Sequence, residues 1–252
     1  MRMKIVYKLL HGFYVAYAAL VFVVLMFMVV LLVIPASFFG RIRGGNFIYR
    51  LCRAWTNTWF MLIGIRQKNI YLSPHDPHHA CIFVANHISY MDIPAVVKAL
   101  DQPLRILGKA ELAKMPVFGY IYSRAAVLVE RSSPEHRAKS VKILKSALKK
   151  GISIMIFPEG TFNLTDQPLK DFYDGAFRIA IETGTPIKPM ILPDTLERLH
   201  YRSIFSLTPG SMRAIFLDEV PVDGLTLADM QGLKEKVHAM MTEQLLKYTP
   251  PS

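Results

Sequence analysis

The 252-residue chain is long enough for one sizeable domain with an appendage, but too short for two full domains. It is 52% hydrophobic, and 30 Lys and Arg residues against 19 Asp and Glu give a formal charge of +11. An apolar and basic chain favours an anionic membrane as partner, so we expect no nucleic-acid-binding function. Two cysteines, Cys52 and Cys81, form no disulfide framework or metal-ligand spacing, which fits a reducing, cytoplasm-facing environment.

The first strong feature along the chain is an uncharged apolar run from Gly12 to Gly40. It exceeds the roughly 20 residues that a helix needs to span the hydrocarbon core of a bilayer, so we expect it to enter a membrane. A cleaved signal peptide would have an apolar region of only about 7–15 residues before a small-residue cleavage site, which argues against cleavage here.

In residues 41–69, which come next, arginines alternate with large apolar and aromatic side chains. This pattern predicts an amphipathic interfacial helix with aromatic anchors. Because basic residues flank the apolar run on both sides, the positive-inside rule does not separate a single span from a hairpin embedded in one leaflet. We expect residues 1–66 to form membrane-binding helices, arranged as a membrane-embedded hairpin. Residues 67–252 are expected to form a second domain.

The second domain alternates short β-rich runs with helical patterns, which predicts an α/β fold with a mixed sheet covered by helices. The predicted strands are 81–85, 104–108, 125–130, 152–157, 186–192 and 212–218, and the predicted helices are 93–100, 134–150, 174–183 and 226–247. The histidine-rich segment "HDPHH" at 75–79 contains Pro77, which excludes the helical i,i+4 spacing of metal ligands. We therefore expect a surface loop there and no metal site.

The stretch "VANHISYMD", residues 84–92, places His87 five residues before Asp92. On one continuous helix five residues turn through about 500°, which would leave the two side chains about 140° apart. Pro94 has no N–H and is tolerated only in a first helical turn, so the helix is expected to begin near Met91 or Asp92. His87 would then lie in the turn after a strand, within reach of Asp92.

Such a dyad would have the chemistry of a general base. The carboxylate would fix the tautomer of the imidazole and leave its other nitrogen free to take a proton from a hydroxyl. The alternative is that Asp92 only favours the helix dipole while Asn86 or Ser89 caps the turn. This stretch alone leaves both interpretations open.

A second stretch, "ISIMIFPEGTFN", places an apolar strand directly before Pro158, Glu159, Gly160 and Thr161. Gly and Pro at a strand end allow backbone N–H groups to point outward, which suits an anion.

With "NHISYMD" followed later by "FPEGT", the sequence resembles the glycerophospholipid acyltransferase family. Further matches are "LGKAELAKMPVFG" at 107–119, "VER" ending at Arg131, and "LKDFYDGAFRIAIETGTPIKPM" at 169–190. The resemblance covers about residues 80–195 and implies membrane-embedded N-terminal helices followed by an α/β acyltransferase catalytic domain.

The resemblance implies that His87 is the general base and that Asp92 orients it. It assigns binding of the acceptor's phosphate to a wider set: Lys109, Arg131, Glu159, Gly160 and Thr161. It implies a lysophospholipid acceptor, with 1-acyl-sn-glycerol-3-phosphate giving phosphatidic acid, and no cofactor beyond acyl-CoA or acyl carrier protein as co-substrate. It also implies a membrane location with the catalytic domain on the cytoplasmic face.

One departure from the family pattern concerns Phe162, which stands where relatives commonly carry Arg after Glu-Gly-Thr. A bidentate partner for phosphate is thereby lost. Two alternatives stay open: an O-acyltransferase acting on a phosphate-free lyso-lipid, such as a lyso-amino-acid lipid, and a non-catalytic module that binds acidic lipid. The sequence contains no G-x-S-x-G motif, and neither Cys has a suitably spaced His, which argues against a serine or thiol nucleophile.

Overall fold

The computed structural model describes residues 2–130 and 133–249. The helices are α1 (Arg2–Ser37), α2 (Gly45–Leu62), α3 (Asp92–Ala99), α4 (Phe118–Ala125), α5 (Pro134–Leu148), α6 (Gly175–Thr183), α7 (Thr195–Arg198) and α8 (Met230–Tyr248). The strands are β1 (Ile65–Tyr71), β2 (Ile82–Ala85), β3 (Leu104–Lys109), β4 (Ala126–Val129), β5 (Ser153–Ile156), β6 (Ile187–Ile191) and β7 (Gly210–Phe216).

All seven of these strands form one sheet in the order β1-β7-β6-β2-β5-β3-β4. The five strands from β6 to β4 are parallel to one another, while β7 pairs antiparallel with β6 and β1 pairs parallel with β7. The mixed α/β sheet predicted from the sequence is therefore confirmed. Because five strands run in one direction, their carboxyl ends meet at the same edge, and the loops that follow them lie side by side.

The two faces of the sheet pack against different sets of helices. Phe83 and Ala85 of β2 belong to one hydrophobic cluster together with residues of α1, α2 and α3. Ile82 and Val84 of the same strand belong to a second cluster with residues of α5, α6 and α8. A fully buried strand of a parallel sheet contributes side chains to both cores in this way.

The N-terminal helices form a hairpin that is part of the first cluster. Ala18 and Val33 of α1 are fully buried, and the Trp59 indole of α2 donates to the Ala18 carbonyl at 3.0 Å. The opposite surface of α1 is exposed and apolar, and Val6–Ser37 is long and apolar enough to cross a membrane. Its exposed large side chains are Val6, Tyr7, Leu9, Leu10, Phe13, Tyr17, Leu20, Val23, Val24, Phe27, Met28, Leu31, Leu32 and Ile34. An apolar surface of this size marks a membrane- or protein-binding face, and the length of the helix favours a membrane.

One predicted element differs from the structure, since a helix was expected across residues 41–69. Helix α2 ends at Leu62, Gly64 adopts a φ of +73°, and the chain continues as strand β1 along β7. After the buried Ile65, the next two inward-facing side chains of this strand are polar: Gln67 donates to the Ala95 carbonyl, and Asn69 donates to the Ala99 carbonyl of α3. A strand with polar groups on its inner face has no alternating hydropathy to reveal it.

Arg105 of β3 joins the helical hairpin to the sheet. Its side chain is 7% exposed and donates to the Arg41 carbonyl at 2.9 Å, to the Asn46 side chain at 2.8 Å and to the Leu104 carbonyl at 2.9 Å. Burial lowers the pKa of Arg105, because desolvation disfavours the charged form of the guanidinium. The three acceptors offset that cost and hold the turn between α1 and α2 against β3.

We expect Arg105→Ala to lower the free energy of unfolding by about 2–3 kcal/mol, because it removes charged hydrogen bonds and leaves one buried and two partly buried acceptors without this donor. The matched control is Arg178→Ala, since Arg178 is 59% exposed and should change stability by less than about 0.5 kcal/mol. Chemical unfolding in detergent measures both variants. Equal stability of the two would contradict the role given to Arg105.

Candidate active site

The centre of the site is the Asp92 carboxylate, which is fully buried at the first turn of α3. Its Oδ2 accepts from His87 Nδ1 and from the backbone N–H groups of Ile88 and Ser89, each at 2.8 Å. Its Oδ1 accepts from the Thr195 hydroxyl at 2.5 Å. The structure therefore brings His87 and Asp92 together, and the helix begins where Pro94 predicted.

The His87 imidazole lies between two aromatic rings. Phe157 stacks on it at a centroid distance of 4.2 Å, and Phe162 meets it edge-on at 4.4 Å. The side chain remains 18% exposed, so a substrate can reach it. Because a carboxylate only accepts hydrogen bonds, the bond to Asp92 places a proton on Nδ1, and in the neutral ring Nε2 carries the free lone pair.

Glu159 holds the backbone of His87 in place. Its Oε1 accepts from the N–H of His87 at 2.8 Å, and its Oε2 accepts from the N–H of Lys170 at 2.9 Å. Burial raises the pKa of Glu159, while the two backbone hydrogen bonds act in the opposite direction. The N–H of Asn163 donates to the His87 carbonyl at 2.7 Å, so both backbone groups of His87 are bound by the "PEGTFN" segment.

The sheet accounts for this meeting of two distant segments. Strands β2 and β5 are neighbours, with Val84 paired to Ile156, so the residues after each strand emerge together at the carboxyl edge. Strand β6 lies on the other side of β2. Asn86 binds the segment after β6, because its side chain accepts from the Leu192 N–H at 2.7 Å and donates to the Leu192 carbonyl at 3.2 Å.

The turn after Glu159 depends on Gly160, which has a φ of +73°. A Cβ atom there would lie 2.7 Å from the Tyr173 ring, so a larger residue would clash as well as strain the backbone. The Gly160 N–H donates to the Phe157 carbonyl at 3.0 Å and does not point outward as the sequence suggested. The hydroxyl of Thr161, which is exposed, accepts from the Lys170 ammonium at 2.7 Å.

The remaining predicted phosphate ligands lie elsewhere or outside the described residues. Lys109 is the last residue of β3, next to β5 at the same sheet edge, and its half-exposed side chain pairs with Glu111 at 3.6 Å. The structure does not join it to the dyad. Arg131 lies outside the described residues. The roles of these residues and of Glu159, Gly160 and Thr161 in phosphate binding stay predictions.

Phe162 is the centre of an aromatic group beside the dyad. Its ring lies edge-on to Tyr90 at 4.9 Å and at 6.3 Å from Tyr201. The position at which relatives are expected to carry a cation is thus occupied by an apolar ring in contact with His87.

Sequence reasoning missed three contributors to the site: Asn163, Lys170 and Thr195. Thr195 follows β6 by four residues, and polar residues directly after parallel strands were the signal that could have identified it. Lys170 stands in the motif "LKDFYDG" but was not singled out. Asn163 acts through its backbone N–H and through a side chain that binds its own loop, which leaves no residue-type signature.

Comparison with known proteins places this geometry in a family. A model of the acyltransferase family matches residues 65–192, just over half of the chain. The 1-acyl-sn-glycerol-3-phosphate acyltransferase of Cocos nucifera is 27% identical over 227 residues, which cover 89% of this chain and 71% of that protein. The lyso-ornithine lipid O-acyltransferase of Pseudomonas aeruginosa is 28% identical over 177 residues, which cover 64% of this chain and 67% of that protein.

A solved structure shares the whole fold, including the N-terminal helices. The crystal structure of the 1-acyl-sn-glycerophosphate (LPA) acyltransferase PlsC from Thermotoga maritima aligns with a TM-score of 0.74, at 22% identity, over 100% of this chain and 99% of that chain. This likeness establishes the fold, and the family match covers the strands that carry both halves of the site. The chain belongs to the acyltransferase family and is an O-acyltransferase.

Proposed function

We propose that the protein transfers a fatty acyl group from an acyl thioester to the free hydroxyl of a lysophospholipid, converting 1-acyl-sn-glycerol-3-phosphate into phosphatidic acid in phospholipid biosynthesis. The observation that carries the mechanism is the 2.8 Å bond between His87 Nδ1 and a buried carboxylate, which leaves Nε2 at an accessible sheet edge. The acceptor is proposed from the relatives named 1-acyl-sn-glycerol-3-phosphate acyltransferases.

In the proposed mechanism, Nε2 of His87 takes the proton of the acceptor hydroxyl while its oxygen attacks the thioester carbonyl carbon. The tetrahedral intermediate collapses, the C–S bond breaks, and the leaving thiolate takes the proton back from the imidazolium. Asp92 stabilises the imidazolium through Nδ1. Because the acceptor oxygen attacks the thioester directly, no covalent acyl-enzyme is needed.

The surroundings of His87 support a fixed direction for Nε2. Glu159 and Asn163 bind both backbone groups of His87, and Phe157 and Phe162 confine its ring. The imidazole of such a general base is already in the reactive orientation when the substrate binds. The acceptor's phosphate would bind further along the same edge, at Lys109 and the Glu159–Thr161 turn, where the Lys170 ammonium adds positive charge. Arg131 is proposed as a further phosphate ligand.

The proposed setting is the surface of a bilayer. The N-terminal helices, up to about residue 66, would hold the enzyme there, and the rest of the chain would form the catalytic domain. We place that domain on the cytoplasmic face, where acyl-CoA or acyl carrier protein would supply the acyl group. The free thiols of Cys52 and Cys81 are compatible with a reducing compartment.

A second candidate function is acyl transfer to a phosphate-free lyso-lipid. The observation that favours it is the Phe162 ring, which contacts His87 where an arginine would otherwise offer two donors to phosphate. The similarity to a lyso-ornithine lipid O-acyltransferase is in agreement with this alternative.

We expect His87→Ala to reduce kcat by about 10²–10⁴-fold, because the general base is lost. The far-UV circular dichroism and the unfolding midpoint should stay near the wild-type values, since the imidazole is partly exposed. His79→Ala, in an exposed loop, is the matched control and should keep full activity. Acyl transfer above about a tenth of the wild-type rate in His87→Ala would exclude this mechanism.

We expect Thr195→Val to lower kcat/KM by roughly ten- to a hundredfold, because Asp92 loses one charged hydrogen bond while the side-chain shape is kept. Thr195→Ser, which keeps the hydroxyl, should restore kcat/KM. Initial rates with a labelled acyl donor measure both variants, and a Thr195→Val enzyme as active as wild type would contradict the role given to Thr195.

We expect Phe162→Arg to raise kcat/KM for lysophosphatidic acid by roughly tenfold and to leave a lyso-amino-acid lipid unimproved, since only phosphate gains a bidentate partner. Leu164→Arg, two residues further and 63% exposed, controls for the added charge. Initial rates with each acceptor and a labelled acyl donor measure the effect. A wild-type enzyme that prefers the lyso-amino-acid lipid would overturn the primary acceptor in favour of the second candidate.

A further inference from the structure

The loop from His200 to Leu207, here called the 200–207 loop, exposes two adjacent large apolar side chains. It contains a short 3-10 turn, Ile204–Ser206, in which Ile204 is 66% and Phe205 is 69% exposed. Neighbouring apolar side chains with this exposure at the tip of a loop indicate a contact with something other than water.

Several backbone N–H groups of the 200–207 loop are bound within the loop itself. Ser203 Oγ accepts from the Phe205 N–H at 3.1 Å, the Ser203 carbonyl accepts from the Ser206 N–H at 3.1 Å, and Ser206 Oγ accepts from the His200 N–H at 2.7 Å. A segment that enters the apolar part of a bilayer must satisfy these groups internally, because no water is available there. The tip meets part of that requirement through Ser203 and Ser206, which suits a shallow position at the head-group boundary.

Helix α1 provides a further bond and gives the tip its position. His11 Nε2–H donates to the Phe205 carbonyl at 2.8 Å, so the tip is bound to the helix that carries the exposed apolar surface. Around His11, that surface includes Tyr7, Leu10 and Phe13, which are 67%, 63% and 73% exposed. The apolar tip and the apolar surface of α1 are therefore continuous.

Nearby basic side chains indicate the depth at which the tip would lie in a bilayer. Lys4 and Lys8 of α1 are exposed, and at 1.5 Å per residue they lie roughly 10 and 5 Å from His11 along the helix axis. Arg202 of the loop is also exposed, with its guanidinium 5.6 Å from the Tyr201 ring. Cations at this height suit anionic lipid head groups, with the apolar tip just below them.

The base of the same loop is part of the wall of the active site. The Tyr201 ring lies 6.3 Å from Phe162, which itself lies 4.4 Å from His87, and the Leu199 carbonyl accepts from the Ser89 hydroxyl. A contact between the tip and a bilayer would therefore determine which side of the dyad faces the lipid.

We propose that the 200–207 loop is a second membrane contact, which inserts Ile204 and Phe205 into the leaflet that holds α1, at the boundary between head groups and acyl chains. This contact turns the His87 side of the sheet edge toward the bilayer, so that a lyso-lipid can present its hydroxyl while its chain stays in the leaflet. The occupant of the surface is lipid, because the tip continues an apolar helix surface and is accompanied by basic residues.

Fluorescence quenching tests the proposal without any assay of activity. In a full-length chain with Cys52→Ala and Cys81→Ala, the substitution Ile204→Cys accepts an environment-sensitive NBD label, and Leu246→Cys, 54% exposed on α8, accepts the same label as a control. In vesicles of phosphatidylcholine and phosphatidylglycerol, lipids with a nitroxide near the head group should quench the label at 204 by at least about half, as expected for a depth of roughly 5–10 Å. The label at 246 should lose less than about a tenth of its emission. Equal quenching at the two positions would overturn the proposal, as would quenching at 204 by a water-soluble quencher alone.

A second experiment separates surface contact from catalysis and rests on the proposed function. The double substitution Ile204→Ser and Phe205→Ser should lower the rate with a vesicle-borne acceptor roughly three- to tenfold and leave the rate with a short-chain acceptor, dissolved as a monomer, within about twofold of wild type. Leu246→Ser should change neither rate. A loss of both rates in the double variant would assign the loop to the site itself and overturn the membrane contact. A wild-type chain that acylates no lyso-lipid would overturn the proposed function, while the quenching result would stand independently.

Discussion

The buried charge of Asp92 is the constraint on which the site depends. A carboxylate with no exposed surface is stable only when donors compensate for the lost water. Here four donors come from two parts of the chain: the turn at residues 87–89, through one imidazole and two backbone N–H groups, and the hydroxyl of Thr195. The turn after β2, the start of α3 and the segment after β6 must therefore keep their relative positions. Glu159 imposes a similar requirement on the segments after β2 and β5 through two backbone N–H groups.

The sequence predicted the local parts of this arrangement well. Pro94 placed the start of α3, and that start brought Asp92 within reach of His87. The contact of Thr195 with Asp92 was not predicted, because the two residues are 103 positions apart in the chain. It depends on β6 lying next to β2, which no local sequence pattern reveals. Strand β1 was not predicted for another reason: its inward-facing Gln67 and Asn69 donate to carbonyl groups of α3 instead of filling an apolar core.

The contacts of Glu159 and Gly160 were likewise not predicted, because they also depend on the three-dimensional fold. The motif "PEGT" suggested a loop open to an anion, yet both oxygens of Glu159 and the N–H of Gly160 bind the protein's own backbone. Backbone partners have no residue-type signature, so the sequence indicated the importance of the motif without its partners. The residue that does present a cation beside the turn is Lys170, eleven positions after Glu159.

The aromatic surroundings of His87 have a chemical consequence of their own. A thioester is prone to hydrolysis, and a base that activates an alcohol can also activate water. Phe157 and Phe162 cover the ring on two sides and leave 18% of the side chain exposed. In the proposed mechanism, an apolar residue at position 162 would favour transfer to the acceptor hydroxyl over loss of the acyl group to water.

The packing of the N-terminal hairpin determines what can be removed from this protein. Ile48, Trp59 and Phe60 of α2 belong to the same hydrophobic cluster as Phe83 of β2, and Arg105 of β3 is bound to the turn between the two helices. Deleting α1 and α2 would uncover that cluster and leave a buried guanidinium without two of its three acceptors. Because these helices share a hydrophobic cluster with the sheet, a more soluble form of the enzyme is better sought by replacing exposed side chains on α1 than by truncation.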